Sequence, residues 1–138
     1  MSAAPPDAVR RLATVALLVA DYDEAIAWYC ERLGFALADN VDLGDGKRWV
    51  TLAPGGGGAN LLLAMADGER QKARIGDQTG GRVGLFLETD DFARDHAAML
   101  SRGVRFEEEP RHEPYGTVAV FRDLHGNLWD LIEPRRST

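Results

Sequence analysis

A short apolar strand, an acid-capped helix and three further strands occur twice along this chain in the same order, and that repeat excludes most folds at once. In the first copy, Leu12 to Val19 is short, apolar and bounded by a turn signal, and reads as a buried strand. Asp21 to Asp23 offer a side-chain oxygen for the orphan amides of a first helical turn. Ile26, Tyr29 and Leu33 recur at three- and four-residue spacing. Gly34 follows where a left-handed cap is easiest, so the spacing predicts a helix over 22–33. Strands are expected at 35–41, at 48–53 after Gly44-Asp45-Gly46, and at 60–65. Gly55 to Gly58 cannot continue a ladder and form a loop. A phosphate cradle would need a helix after them, and a strand follows.

The second copy opens with an apolar run at 83–88, a cap at Asp90-Asp91 and a helical stripe from Phe92 to Ser101 that ends before Gly103. Strands at 105–108, 117–122 and 128–133 complete it. Setting Ala16-Leu17-Leu18-Val19 against Gly84-Leu85-Phe86-Leu87 also places Asp23 opposite Asp91 and Ala25 opposite Ala93. One inserted residue then places Gly34 opposite Gly103. One helix covers one face of a four-stranded sheet, so the other face must meet the second module, a partner subunit or a ligand.

The chain has 138 residues, 45% hydrophobic and 28% charged, enough for one domain with a real core over 10–138. Residues 1–9, with Pro5 and Pro6, read as a flexible arm. Module one covers about 10–66, a polar linker about 67–81, and module two about 82–134. A net charge of −6 without a basic block argues against nucleic-acid binding. The sequence has neither an apolar run long enough to span a bilayer nor a signal-peptide pattern, so no membrane association and a cytoplasmic location are expected. The single cysteine, Cys30, excludes an intramolecular disulfide and a thiolate zinc site.

Val15-Ala16-Leu17-Leu18-Val19-Ala20-Asp21, running into Ala25-Ile26-Ala27-Trp28-Tyr29 and Leu33-Gly34-Phe35, resembles the opening of vicinal-oxygen-chelate proteins. That is the superfamily of glyoxalases, bleomycin-resistance proteins and extradiol dioxygenases. Asp123-Leu124-His125-Gly126-Asn127-Leu128-Trp129-Asp130-Leu131-Ile132-Glu133 resembles its closing hairpin and last strand. The resemblance covers about residues 10–134. It implies an α+β fold of two βαβββ modules, with curved mixed sheets around a small-molecule cleft, usually in a homodimer. Fold alone does not fix function.

Metal-dependent members of this superfamily place up to four ligands, typically His and Glu, on the first and last strands of each module. Carried over motif by motif, those positions fall on Thr14, Leu62, Arg82 and Asp130. Only Asp130 keeps ligand chemistry. Leu62 cannot ligate, Arg82 repels a cation, and Thr14 is a poor ligand for a borderline metal. No cofactor is therefore expected, a divalent metal being the exception to test. Strand alternation puts Arg82, Gly84 and Phe86 on one face, and an Arg82–Asp130 ion pair is expected where relatives hold metal. Such a pair either fills the cleft floor or anchors a ligand carboxylate or oxyanion.

Other candidates for the cleft are Arg48 at its rim, Glu88 at its edge, and the apolar Leu18, Leu62, Phe86 and Phe121. The loop His112-Glu113-Pro114-Tyr115-Gly116 gathers an imidazole, a carboxylate and a phenol. His112, Glu113 and Tyr115 are the candidate catalytic groups, with a plain solvated turn as the alternative. His125 reads as an exposed turn residue, His96 as a packed helix residue and Cys30 as packing. Trp28, Trp49 and Trp129 read as core or interface anchors.

Three functions remain open. The first is a metal-independent cleft that binds or sequesters a small organic molecule, or performs an unassigned reaction on it. The second is a metal-dependent lyase, isomerase or dioxygenase with a displaced ligand set. The third is a partner-binding module without a small-molecule site.

Overall fold

The structure, a computed structural model, describes residues 6–136. Much of the expected arm lies outside the described residues. Module one contains β1 (Thr14–Val19), α1 (Tyr22–Leu33), β2 (Ala36–Gly44), β3 (Lys47–Ala53) and β4 (Asn60–Met65). A short helix α2 (Gly68–Lys72) lies in the segment read as linker. Module two contains β5 (Val83–Glu88), α3 (Phe92–Ser101), β6 (Arg105–Phe106), β7 (Arg111–Glu113), β8 (Gly116–Arg122) and β9 (Leu128–Pro134).

Sheet one has the order β1-β4-β3-β2 and sheet two the order β5-β9-β8-β6, with β7 also on β8. The first and last strands of each module pair in parallel and the rest antiparallel, so both sheets are mixed. β6 and β7 lie along β8 as one interrupted strand. His112 and Glu113, expected in a loop, lie with Arg111 in β7. Its three polar residues carry no apolar alternation, and its strand character comes from pairing with β8.

Asp21 caps α1 by accepting the Glu24 amide at 2.8 Å, and Asp91 caps α3 by accepting the Arg94 amide at 3.1 Å. Gly34 ends α1 with φ of 74°, a conformation an L side chain rarely adopts. The two caps correct the internal alignment. Asp21, not Asp23, stands opposite Asp91, a shift of two residues. Asp21-Tyr22-Asp23 offers two acidic caps, and burial of Tyr22 in the first turn selects the earlier one. With that shift Gly84, not Arg82, aligns with Thr14 along the sequence, and a bulge there sets the preceding Val83 against Leu128.

The helix-facing residues of both sheets share one core. Leu17, Val19, Tyr29, Phe35, Val50 and Leu52 of module one pack in the same cluster as Phe92, Met99, Phe121, Trp129 and Leu131 of module two. Trp129 lies 6.0 Å from the rings of both Tyr29 and Phe35 and 5.7 Å from Phe121. Asp123 adds a polar lock. Its carboxylate is 6% exposed and accepts the Tyr29 hydroxyl at 2.6 Å, Trp129 Nε1 at 3.0 Å and the Asn127 amide at 2.9 Å. A buried charge without a cation persists only when donors surround it in this way. Burial and the Asp123 charge raise the Tyr29 phenol well above its ordinary value.

The linker is tied down by side chains. The Gln78 amide donates to the Ala16 carbonyl and accepts the Leu18 amide, both at 2.8 Å, and so takes the place of a neighbouring strand along β1. His125 is half-buried rather than an inert turn residue: its Nε2 accepts the Ala20 amide at 3.2 Å. Among the described residues no helix is long and apolar enough to cross a membrane.

Candidate functional site

Each sheet has an outer face turned away from the helices, and alternation decides what it carries. In sheet one, Ala16 pairs with Leu62 and Leu62 with Thr51. Thr14 and Leu18 share that face, and Thr51 donates to Asp39 at 2.6 Å. Beside them Val41 pairs with Trp49, and these two side chains are 50% and 44% exposed.

In sheet two the matching positions are Phe86, Asp130 and Val120, paired across β5, β9 and β8. Phe86 is 64% exposed, more than any other aromatic side chain among the described residues. Asp130 is half-buried, and its Oδ1 is sealed from solvent with no hydrogen-bond partner. Burial raises its carboxyl above the ordinary value; the Arg111 guanidinium opposes that shift and Glu108 reinforces it.

Arg111, absent from the sequence-based candidates, organises this end of the face. Its Nε donates to both Glu108 oxygens at 2.9 and 3.0 Å, and a terminal nitrogen donates to Glu113 at 2.8 Å. Glu108 in turn accepts the Val120 amide at 3.0 Å. Both carboxylates hold Arg111 firmly cationic, its pKa raised far above the ordinary guanidinium value. The signal available in the sequence was parity: Arg111 lies two residues before Glu113, on the same face of any strand through that segment.

The expected Arg82–Asp130 ion pair does not form. The register sets Phe86 beside Asp130, whereas Arg82 precedes β5, is exposed, and uses its carbonyl to accept the Thr79 hydroxyl at 2.6 Å. Two further cleft candidates face the helices instead. Phe121 pairs with Trp129 and is fully buried in the core, because Val120 is the β8 residue that shares the Asp130 face. Arg48 lies 4.7 Å over the Tyr22 ring and bonds Asp23 at 3.0 Å, so it sits against the start of α1. Thr14 and Leu62 lie on the outer face of sheet one; Phe86, Glu88 and Asp130 lie on that of sheet two.

The three catalytic candidates diverge. Glu113 pairs with Gly116 and bonds Arg111, on the side of Val118 and Asp130. His112 alternates to the other side, with Nδ1 3.3 Å from the Thr117 hydroxyl, and Tyr115 is 55% exposed in the turn. His96 stacks on Phe92 at 5.2 Å and meets Phe106 edge-on at 4.5 Å. The Cys30 thiol is pushed up by burial and by Glu31, which disfavours the thiolate.

A hollow of about 320 Å³ opens beside Phe86 and Glu88, bounded across from them by Pro54, Gly56 and Asn60. A larger one, about 550 Å³, lies along α3, where Arg94 is paired with Asp90 and Asp95. The smaller hollow is the more apolar; it is also lined by the helix-facing Leu61, Leu85 and Trp129, and it reaches the outer face of sheet two at Phe86 and Glu88 but not at Asp130. In the single chain neither outer face is closed over.

The positions where metal-dependent relatives hold their ion carry a hydroxyl at Thr14, an alkyl chain at Leu62, no side chain at Gly84 and one carboxylate at Asp130. That donor set does not fit a divalent cation. Among the described residues no three His, Cys, Asp or Glu side chains gather into a metal-holding group.

A protein of Shewanella frigidimarina (strain NCIMB 400), described as uncharacterized, is 51% identical over 121 residues, spanning 86% of this chain and 90% of that one. The crystal structure of UcmS2 superposes with a TM-score of 0.78 at 30% identity, covering 91% of this chain and 98% of that one. TnmS3, an antibiotic binding protein from Streptomyces sp. CB03234, superposes with a TM-score of 0.75 at 30% identity, covering 93% and 98%. Residues 11–131 match the Glyoxalase/Bleomycin resistance protein/Dioxygenase superfamily as a whole. Paired βαβββ modules, an open outer face on each sheet and this match together make the chain a member of that superfamily.

Proposed function

We propose that this protein binds and sequesters a small organic molecule without a metal, on the outer faces of its two sheets, as a cytoplasmic homodimer. The observation that carries this reading is the pairing of an exposed Phe86 ring with an incompletely satisfied Asp130 carboxyl on one sheet face. Binding sites combine apolar surface with a few fixed polar groups, and that face has both. The similarity to TnmS3, an antibiotic binding protein, supports the same class of ligand here.

Exposure supports the dimer. Val41, Leu43 and Trp49 on sheet one and Phe86 on sheet two leave apolar surface open in the single chain, and a second copy would close it. Sedimentation of the full chain tests the dimer. Thermal shift against planar antibiotics and aromatic amines tests the ligand class, since a compound at 100 times its dissociation constant stabilises by about 2.7 kcal/mol. A monomer that no compound stabilises overturns the proposal.

Asp130, the one metal-ligand position to retain a carboxylate, favours a second reading: a lyase, isomerase or dioxygenase with a displaced ligand set. Stoichiometric Zn, Ni, Mn or Fe in the purified protein, with an activity lost to chelator, would establish that reading instead.

A further inference from the structure

The outer face of sheet two is charged unevenly. Arg111 is committed to Glu108 and Glu113, and Arg105 and Arg122 both bond Glu107. Among the described residues Glu88 and Asp130 have no ion-pair partner. They occupy this one face, Asp130 directly beside Phe86 and Glu88 one pleat further along β5. Two carboxylates without an ion-pair partner thus flank the exposed phenyl ring.

Asp130 adds a directional demand. Its Oδ1 is sealed without a donor, so Oδ2 is the oxygen it offers to the face. A partly desolvated carboxylate short of donors gains most from a charged one, because a charge-assisted hydrogen bond is about twice as strong as a neutral one.

Resting on the small-molecule reading above, the geometry points to an organic cation: a flat apolar framework laid on Phe86 and bearing a protonated amine that donates to Asp130, with Glu88 as the second countercharge. An anion of the same shape is disfavoured by both carboxylates. The site selects by charge as well as by shape.

The test uses two planar probes of opposite charge, 9-aminoacridine (a cation at neutral pH) and 1-anilinonaphthalene-8-sulfonate (an anion), titrated calorimetrically into the full chain and into Asp130→Asn. The substitution keeps the side chain's shape, removes its charge and adds a donor. The wild type should bind the cation at least tenfold tighter than the anion. Asp130→Asn should weaken the cation at least tenfold and leave the anion unchanged or tighter, while Phe86→Ala weakens both. Equal affinity for the two probes, or an Asp130→Asn chain that binds the cation normally, overturns the organic-cation assignment and leaves the small-molecule reading standing. Failure of both probes to bind at millimolar concentration overturns both.

Discussion

The outer faces of sheets one and two share a register and differ in chemistry. Where sheet one sets Ala16, Leu62 and Thr51 side by side, sheet two sets Phe86, Asp130 and Val120. Face one is neutral at its centre and turns its one nearby carboxylate, Asp39, onto Thr51. Face two keeps a carboxyl at its centre, a guanidinium network behind it and an exposed ring in front. One scaffold, used twice, carries a carboxyl at the centre of one outer face and an alkyl chain, Leu62, at the matching position of the other. The helix-facing sides show no such division, since both contribute to one core.

The sharpest break of this comparison is at the shared core. Trp129→Ala is expected to lose about 3–5 kcal/mol. Both modules should unfold in one transition, with Trp28 and Trp49 fluorescence falling together with the far-ultraviolet dichroism. Separate transitions would mean that the modules are energetically independent.

Gln78→Ala removes two hydrogen bonds from β1 and should lower stability by about 1–2 kcal/mol. The loss should appear first as faster hydrogen exchange at the Leu18 amide. Making face two resemble face one has a smaller effect of opposite sign: Asp130→Leu should be neutral or stabilising by up to about 1 kcal/mol, because it removes an unsatisfied buried oxygen.

The pH dependence of that variant sharpens the point. The Asp130 carboxyl is raised above its ordinary 3.8 in the fold, so the folded state binds its proton more readily than the unfolded chain does. Its contribution to stability is fully present below the ordinary value and is lost as pH rises through the raised one. Wild type should therefore gain on Asp130→Leu as pH falls through that window, as measured by paired urea melts. The smallest effect is expected from Arg48→Ala. Arg48 lies on the helix side, so affinity for any outer-face ligand should be unchanged by calorimetry.

Element positions were readable from the sequence because they depend on local pattern. Helix α1 over 22–33, strand β4 over 60–65 and helix α3 over 92–101 follow from apolar spacing, acidic caps and glycine stops. Which residues become neighbours was not readable to the same degree, because register depends on pairing between distant strands. A bulge between Val83 and Leu85 breaks the alternation that would have carried Arg82 onto the Phe86 face, and no residue pattern announced it. Phe121 and Val120 are adjacent apolar residues, and only the pairing with Asp130 and Trp129 assigns each to its side. Asp123 was legible only as the start of the closing hairpin motif, whereas its bond to Tyr29 joins residues 94 positions apart.

A single glutamine amide occupies the open flank of β1, and this arrangement has a consequence for assembly. The backbone groups of Ala16 and Leu18 are the kind through which unrelated chains zip together, and Gln78 conceals them without adding another segment to the sheet. A chain cleaved or altered near residue 78 would keep its modules yet bare that flank, and its first failing would be clumping rather than loss of fold.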